Sequence, residues 1–350
     1  MRICVFGAGA IGGHLAARLA KAGADVSVVA RGDNLQAIRK HGLRVHTPHD
    51  SLHEKVRASD DAGAFGEQDA VVVTLKAHSL PAAARDIARL LGPETPVAFV
   101  ANGIPWWYFH KQGGALDGAR LPRLDPGGAI WDAIGPQRAI GGVVYSASEV
   151  HEPGVVTVDT PTSRLILGEP DGTVSERARR LAELFVAGGI ATTVTPAIRD
   201  EIWSKLMNNL ASGSLTILAG AATMQVYADQ ACRSAVRVMF EEANAIAAAL
   251  GCKLEPDYEQ KIAHGRKMNH KPSILQDLER GRPMEVEALF DTPLLLGRAA
   301  GVPTPMLDLF VGLVKIRAAG AGLWEDSSTP AVNLVFPSAE SAPGRMGRAV

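Results

Sequence analysis

Six consecutive residues near the start of the chain, Gly7-Ala8-Gly9-Ala10-Ile11-Gly12, carry the glycine spacing that lays backbone N–H groups against phosphates. Gly7 suits a tight turn and Gly9 lets the main chain approach a pyrophosphate. Gly12 allows close packing of a helix, opened by Ala10 and Ile11, on the preceding strand. With 36 glycines in 350 residues the spacing alone would arise by chance, so its setting matters. Arg31 stands about twenty residues on, where an NAD site places Asp or Glu to accept from ribose hydroxyls. A guanidinium there suits a 2′-phosphate and favours NADP, although Asp33 keeps NAD open and Arg31 could be a solvated loop charge. Farther on, Lys205 and Asn209 are spaced i, i+4 on one face of an apolar helix, with Ile202, Leu206 and Leu210 on another. Burying such a polar pair costs energy unless it is partnered, so the stripe either faces solvent or does chemistry.

These residues need elements to hold them. Arg2 to Phe6 reads as a strand running straight into the glycine turn, the turn opens a helix (Ile11, Leu15, Leu19), and Asp25 to Ala30 reads as a second strand. That strand-helix-strand unit is the setting in which a GxGxxG spacing means dinucleotide binding. Further strands are predicted at Ala70 to Leu75 and Val97 to Val100, with a helix from Leu80 to Leu91 between them, so a parallel sheet covered by helices follows. Lys76 and Asn102-Gly103 end those two strands. In an open parallel sheet that position lines the ligand crevice, though either could be a helix cap or loop residue. From Ala139 to Gly168 the glycine- and valine-rich texture predicts antiparallel strands added late to the same sheet, followed by a helix (Val174 to Ala187) and a strand (Ile190 to Thr195). Beyond Pro196 strand signals fade and helical periodicity takes over, as in Ala231 to Leu250. The reading is therefore an α/β chain with a Rossmann-type dinucleotide-binding domain over residues 1–196 and an all-helical domain over 197–322. Residues 323–350, with four Ser and three Pro, read as a partly mobile tail.

Composition narrows the partners. A net charge of −1 leaves no excess of Lys and Arg to neutralise a nucleic-acid backbone, so a small molecule is the expected partner. Three scattered cysteines, Cys4, Cys232 and Cys252, suggest neither a disulfide framework nor a zinc site and fit the cytoplasm. No His and carboxylate cluster has ligand spacing, so no metal is expected. No uncharged apolar run is long enough to span a membrane. Apolar helices in the second domain are compatible with a homodimer.

Taken together, the residues resemble the ketopantoate reductases (2-dehydropantoate 2-reductases) and their 2-keto acid reductase relatives over nearly the whole chain to about residue 320. The marks are GAGAIG at 7–12 with Arg31, VTLKA ending at Lys76 and Ala77, Asn102-Gly103, WSKLMNN at 203–209, SILQD at 273–277 and GRPMEVE at 281–287. The resemblance implies NADPH as cofactor, with Arg31 and Lys76 on its adenosine side and Asn102 near the nicotinamide. It implies that Lys205 is the catalytic lysine and Glu285, twelve residues after Ser273, the active-site glutamate. Asn209 and Ser273 match positions that bond the substrate. The implied reaction is reduction of a 2-keto acid to a 2-hydroxy acid, with ketopantoate as the expected substrate. A different keto acid, or a protein that senses NADPH without catalysis, are the competing readings.

Several positions depart from the family pattern. Gly213 and His270 stand where Asn is usual, and Val286, Glu287, Phe290 and Asp291 replace the common run after the glutamate. Thr292-Pro293 would bend or restart that helix. A lengthened loop after Asn102 opens with Trp106-Trp107-Tyr108-Phe109, which either pack the two domains together or wall the substrate pocket.

Overall fold

The computed structural model describes residues 1–326; all but the first four residues of the expected tail lie outside the described residues. Twelve strands form two sheets: β1 (Arg2–Phe6), β2 (Asp25–Val29), β3 (Leu43–His46), β4 (Ser51–Glu54), β5 (Arg57–Ser59), β6 (Ala70–Val73), β7 (Val97–Val100), β8 (Ala139–Tyr145), β9 (Ser148–Glu152), β10 (Val155–Val158), β11 (Arg164–Gly168) and β12 (Ala191–Val194). The main sheet runs β12-β11-β8-β7-β6-β1-β2-β5 and is parallel except where β11 meets β8. Helices α1 (Ala10–Lys21), α2 (Gly32–His41), α3 (Leu80–Ala88), α4 (Ala129–Ala133) and α5 (Glu176–Ala187) accompany it. After β12, among the described residues, the chain is helical: α6 (Ile198–Asn208), α7 (Ser214–Ala219), α8 (Thr223–Ala228), α9 (Gln230–Ala249), α10 (Tyr258–Gly265), α11 (Ser273–Glu279), α12 (Thr292–Ala299) and α13 (Pro305–Gly320).

The stretch from Ala139 to Gly168 departs from expectation. Only β11 joins the main sheet antiparallel; β8 is parallel to β7, and β9 and β10 leave for a second sheet of order β4-β3-β10-β9. Strand direction and partner depend on where the connecting chain returns, and composition carries neither. The β3–β4 hairpin was not anticipated: its strands are four residues long, with only Leu43, Val45 and Leu52 inward. This second sheet buttresses α1. A Cβ on Gly13 would lie 2.9 Å from Val156, and Arg18 pairs with both oxygens of Asp50, in the β3–β4 turn, at 2.8 and 2.9 Å.

Alternation along β1 divides the core. Ile3 and Val5 face α1, α5 and the second sheet, whereas Cys4 and Phe6 face α3, the long loop and the helical half. The latter core runs without a break from the sheet to Trp203, Phe240 and Phe290, so the two halves share one apolar interior. The aromatic loop supplies part of it. Trp106 to Phe109 are all buried, Trp203 Nε1 donates to Tyr108 Oη at 2.8 Å, and the Arg199 guanidinium binds the carbonyls of Tyr108, His110 and Pro170. Packing is thus the role of Tyr108 and Phe109. Trp106 and Trp107 pack too, and also line a small, partly open cavity of about 20 Å³ beside Asn102 and Ile202.

Candidate active site

The glycine turn is built largely from backbone. Gly7 has φ +103°, a region closed to most side chains, and its N–H donates to Val29 O at 3.0 Å. A Cβ on Gly12 would fall 1.8 Å from Gly7 O, so α1 can start this close to β1 only with glycine there. Gly9 is the opposite case: exposed at the start of α1, it would carry a Cβ that meets nothing within 4 Å. The first turn of α1, including Ala10 and Ile11, therefore opens its N–H groups and positive dipole end to solvent, a cradle that fits a pyrophosphate. Two residues not singled out in the sequence hold the turn. Thr74 Oγ1 donates to Gly7 O at 2.6 Å, and Asn34 Nδ2 donates to Ala8 O at 2.5 Å while its Oδ1 accepts from Gly154 N at 2.8 Å. Arg31 stands exposed after β2, just before α2.

Across the sheet the carboxyl ends of β7 and β8 meet α6. Lys205, part-buried on α6, donates from Nζ to Asn102 Oδ1 at 2.8 Å and to Val144 O at 2.6 Å, with the Tyr145 ring centroid 5.5 Å away. Lys205 is thus turned inward, with Ile202, Leu206 and Leu210 buried on the same helix, and Asn209, one turn on, is partly buried. Desolvation lowers the ammonium from 10.5 to about 8, opposed by the charge of Glu285. An ammonium has three N–H donors, and two are held by protein.

Glu285 is buried and reaches the turn before α3 from the far half: its Oε1 accepts from the backbone N–H of Ala77 at 3.1 Å. Burial raises its pKa, opposed first by that N–H. Lys76, one residue earlier, crosses the crevice as well, pairing with Asp277 of α11 at 2.6 Å and donating to Pro283 O at 3.3 Å. In this arrangement its ammonium is engaged by the helical half. Asp277 lies inside the SILQD run yet had no expected role, because a lone Asp mid-helix gives no signal.

Asn209 begins a π-helical turn, Asn209–Gly213, and a second such turn, Glu287–Asp291, follows Glu285. Pro293 has no N–H to return to the carbonyl of Leu289, which suits a widened turn running into α12. The two turns touch: a Cβ on Gly213 would lie 3.4 Å from the Phe290 ring and 3.6 Å from Ile274. Gly213 and Phe290 are therefore complementary departures, the phenyl filling the space that a longer side chain at 213 would need. Ser273 is exposed at the first position of α11, and His270 is exposed on the approach to it.

A family model described as "Ketopantoate reductase PanE/ApbA" matches residues 3–116, and one described as "Ketopantoate reductase PanE/ApbA C terminal" matches residues 197–318. The 2-dehydropantoate 2-reductase of Mesorhizobium japonicum is 47% identical over 326 residues, covering 93% of this chain and all of the relative. The chain belongs to the ketopantoate reductase family. Like the rest of this family it is an oxidoreductase, and the fold expected from its sequence, a parallel-dominated α/β sheet followed by a helical region, is the family's fold. A solved structure from Ralstonia solanacearum MolK2 assigned to the ketopantoate reductases is 40% identical, with a TM-score of 0.86 over 92% of this chain and 99% of that one. A D-mandelate dehydrogenase solved with NADH and anilino(oxo)acetate shares the fold alone, at 20% identity and a TM-score of 0.77 over 93% of this chain and all of that one. Among the described residues no helix is long and apolar enough to cross a membrane.

Proposed function

We propose that the chain reduces a 2-keto acid to its 2-hydroxy acid with NADPH, 2-dehydropantoate being the foremost substrate. One observation carries this reading: the Lys205 ammonium, held by Asn102 and Val144 at the carboxyl ends of β7 and β8, has one donor left for an acceptor in the crevice. When bound, the reduced nicotinamide supplies the hydride. Lys205 donates a hydrogen bond to the keto oxygen and passes it a proton as negative charge develops there. A pKa of about 8 suits both halves of that task, since the group is protonated at neutral pH and releases its proton readily. Glu285 favours the charged ammonium, and its anchorage on Ala77 spans the crevice. Asn209 and Ser273 hold the substrate's carboxylate or hydroxyl.

The cofactor's pyrophosphate lies against the turn Gly7, Gly9, Ala10, Ile11 and Gly12, and the open N–H groups of the first turn of α1 support this placement. Arg31, exposed at the end of β2, takes the 2′-phosphate, and this is the basis for NADP over NAD. Asn102 sits near the nicotinamide and Lys76 toward the adenosine side, from which Asp277 would have to release it. In this reading residues 1–196 form the cofactor domain and 197–322 the catalytic domain of a cytoplasmic, homodimeric enzyme. A different 2-keto acid on the same fold is the second reading, prompted by the departures at Gly213, His270, Phe290 and Asp291. A panel of 2-keto acids, including ketopantoate and an aryl keto acid, assayed with NADPH and NADH in parallel, tests substrate and cofactor together. Tight NADPH binding with no keto acid reduced would overturn the reading.

A further inference from the structure

The segment that carries Glu285 is tied to the long loop at both of the loop's ends. At its start, Ile104 N–H donates to Ala288 O at 2.9 Å, and Gly103, at φ +81°, passes so close that a Cβ would lie 2.3 Å from that same oxygen. Near its end, the Arg123 guanidinium meets Asp291, and also Glu287 at 3.5 Å and Asp326 at 3.6 Å. Arg123 is largely buried, and so is Asp291, which takes a second cation, Lys315 of α13, at 2.7 Å. Trp324 Nε1 donates to Glu287 at 3.2 Å, and Met284 N–H to Leu323 O at 3.0 Å. Residues 284–291 are thus gripped from the loop on one side and from the end of the described chain on the other.

A π-turn is a rare departure from α-helical geometry, occurring mostly as a single turn, and its neighbours must hold it. Residues 287–291 form that turn immediately after Glu285, whose carboxylate bridges to Ala77, while the gripped loop begins at Asn102, the partner of Lys205. We infer that Arg123 is a positioning residue: by clamping the Glu287–Asp291 turn to the loop it sets Glu285 against Ala77 and Asn102 against Lys205 in one rigid arrangement. The catalytic consequence rests on the reading of Lys205 and Glu285 above; the geometric one does not. A charge-free clamp could not replace it, because Lys315 pairs with Asp291 and Asp326, and the largely buried Glu287 would lose its cation.

The test compares Arg123→Met/Glu287→Gln with the native chain. This double variant removes one charge of each sign, leaves the Asp291–Lys315 pair, and keeps an acceptor for Trp324, so it should fold. Amide exchange at Ala77 and Ile104 is expected to accelerate by at least about tenfold while Val28 in the central sheet is unchanged. The kcat for keto-acid reduction should fall by about ten- to a hundredfold, since misplacement by an ångström costs that much, with KM for NADPH rising by a smaller factor because Asn102 and Lys76 adjoin the released groups. Arg123→Lys, which retains the cation, should recover most of both losses. Native exchange at Ala77 in the folded double variant would overturn the clamp. Should the native enzyme reduce no keto acid, the functional reading fails, and the exchange at Ala77 still decides the role of Arg123.

Discussion

The two ends of the crevice are made differently. At the phosphate end, six consecutive residues form the cradle, and three of them act by lacking a side chain: Gly7 through its φ, Gly12 through its contact with Gly7 O, Gly9 through its openness. At the other end, Lys205, Asn102, Val144, Ala77 and Glu285 come from α6, the loop after β7, β8, the turn before α3 and the segment before the second π-turn. One end depends on backbone geometry supported by a single βαβ unit. The other depends on side chains whose meeting requires both halves of the chain to dock. Damage to the first should weaken cofactor binding in proportion to how much backbone is displaced, whereas damage to the second should spare binding and reduce turnover.

The sharpest break between the two ends is Lys205→Ala. Turnover is expected to fall by about 10²–10⁴-fold, the range for loss of a positioned proton donor, with NADPH affinity within about twofold of native by fluorescence titration. A native kcat would remove Lys205 from the reaction. At the phosphate end the counterpart is Gly12→Ala, whose methyl must displace Gly7 O; overpacking of this kind costs roughly 1–3 kcal/mol or more, so both thermal stability and NADPH affinity should drop together. Affinity retained in a destabilised Gly12→Ala chain would show that the turn can relax without losing the cofactor.

Titration separates the ends as well. If the protonated Lys205 is the active form, kcat/KM for the keto acid falls as pH rises through about 8, approaching tenfold per unit above it. Glu285 raises the Lys205 pKa, so Glu285→Gln should move that limb to lower pH. A limb unmoved in Glu285→Gln would mean that the carboxylate acts only through Ala77. The phosphate end has no such dependence. Arg31→Ala is expected to weaken NADPH by about tenfold or more, the worth of a charge-assisted bond to phosphate, and to leave NADH unchanged. Equal losses for both cofactors would make Arg31 a general backbone contact and return the cofactor preference to Asp33.

This contrast also explains what could be read from the chain before it was folded. The glycine turn was legible because its determinants are contiguous and each has one steric reason. Lys205 and Glu285 were legible through motif resemblance; residue spacing alone left the Lys205 stripe undecided between solvent and site. Val144 was invisible, since a carbonyl acts there and any residue type supplies one. Asn34 and Thr74 brace the turn through bonds to Ala8 and Gly7 carbonyls that no periodicity reports. The second sheet is illegible for a related reason: β10 pairs with β3 of a polar hairpin more than a hundred residues earlier and carries β9 on its other edge, and local alternation cannot report a partner that distant.

The mildest change is the most discriminating at the phosphate end. Gly9 has φ −74°, which any residue can adopt, and an added Cβ would touch no protein atom within 4 Å. By folding criteria alone Gly9→Ala should be neutral or stabilise by about 0.4–1 kcal/mol, because alanine lowers the entropy of the unfolded chain. If the open side of the turn is where a pyrophosphate lies, the same methyl stands between phosphate and N–H groups and weakens NADPH by roughly 1 kcal/mol, about fivefold. Stability and affinity would then move in opposite directions in one variant, measured by thermal denaturation and by titration. Parallel movement, or no change in affinity, would mean that the cofactor approaches the turn from another side, and the cradle would have to be sought among the N–H groups past Gly9 rather than at it.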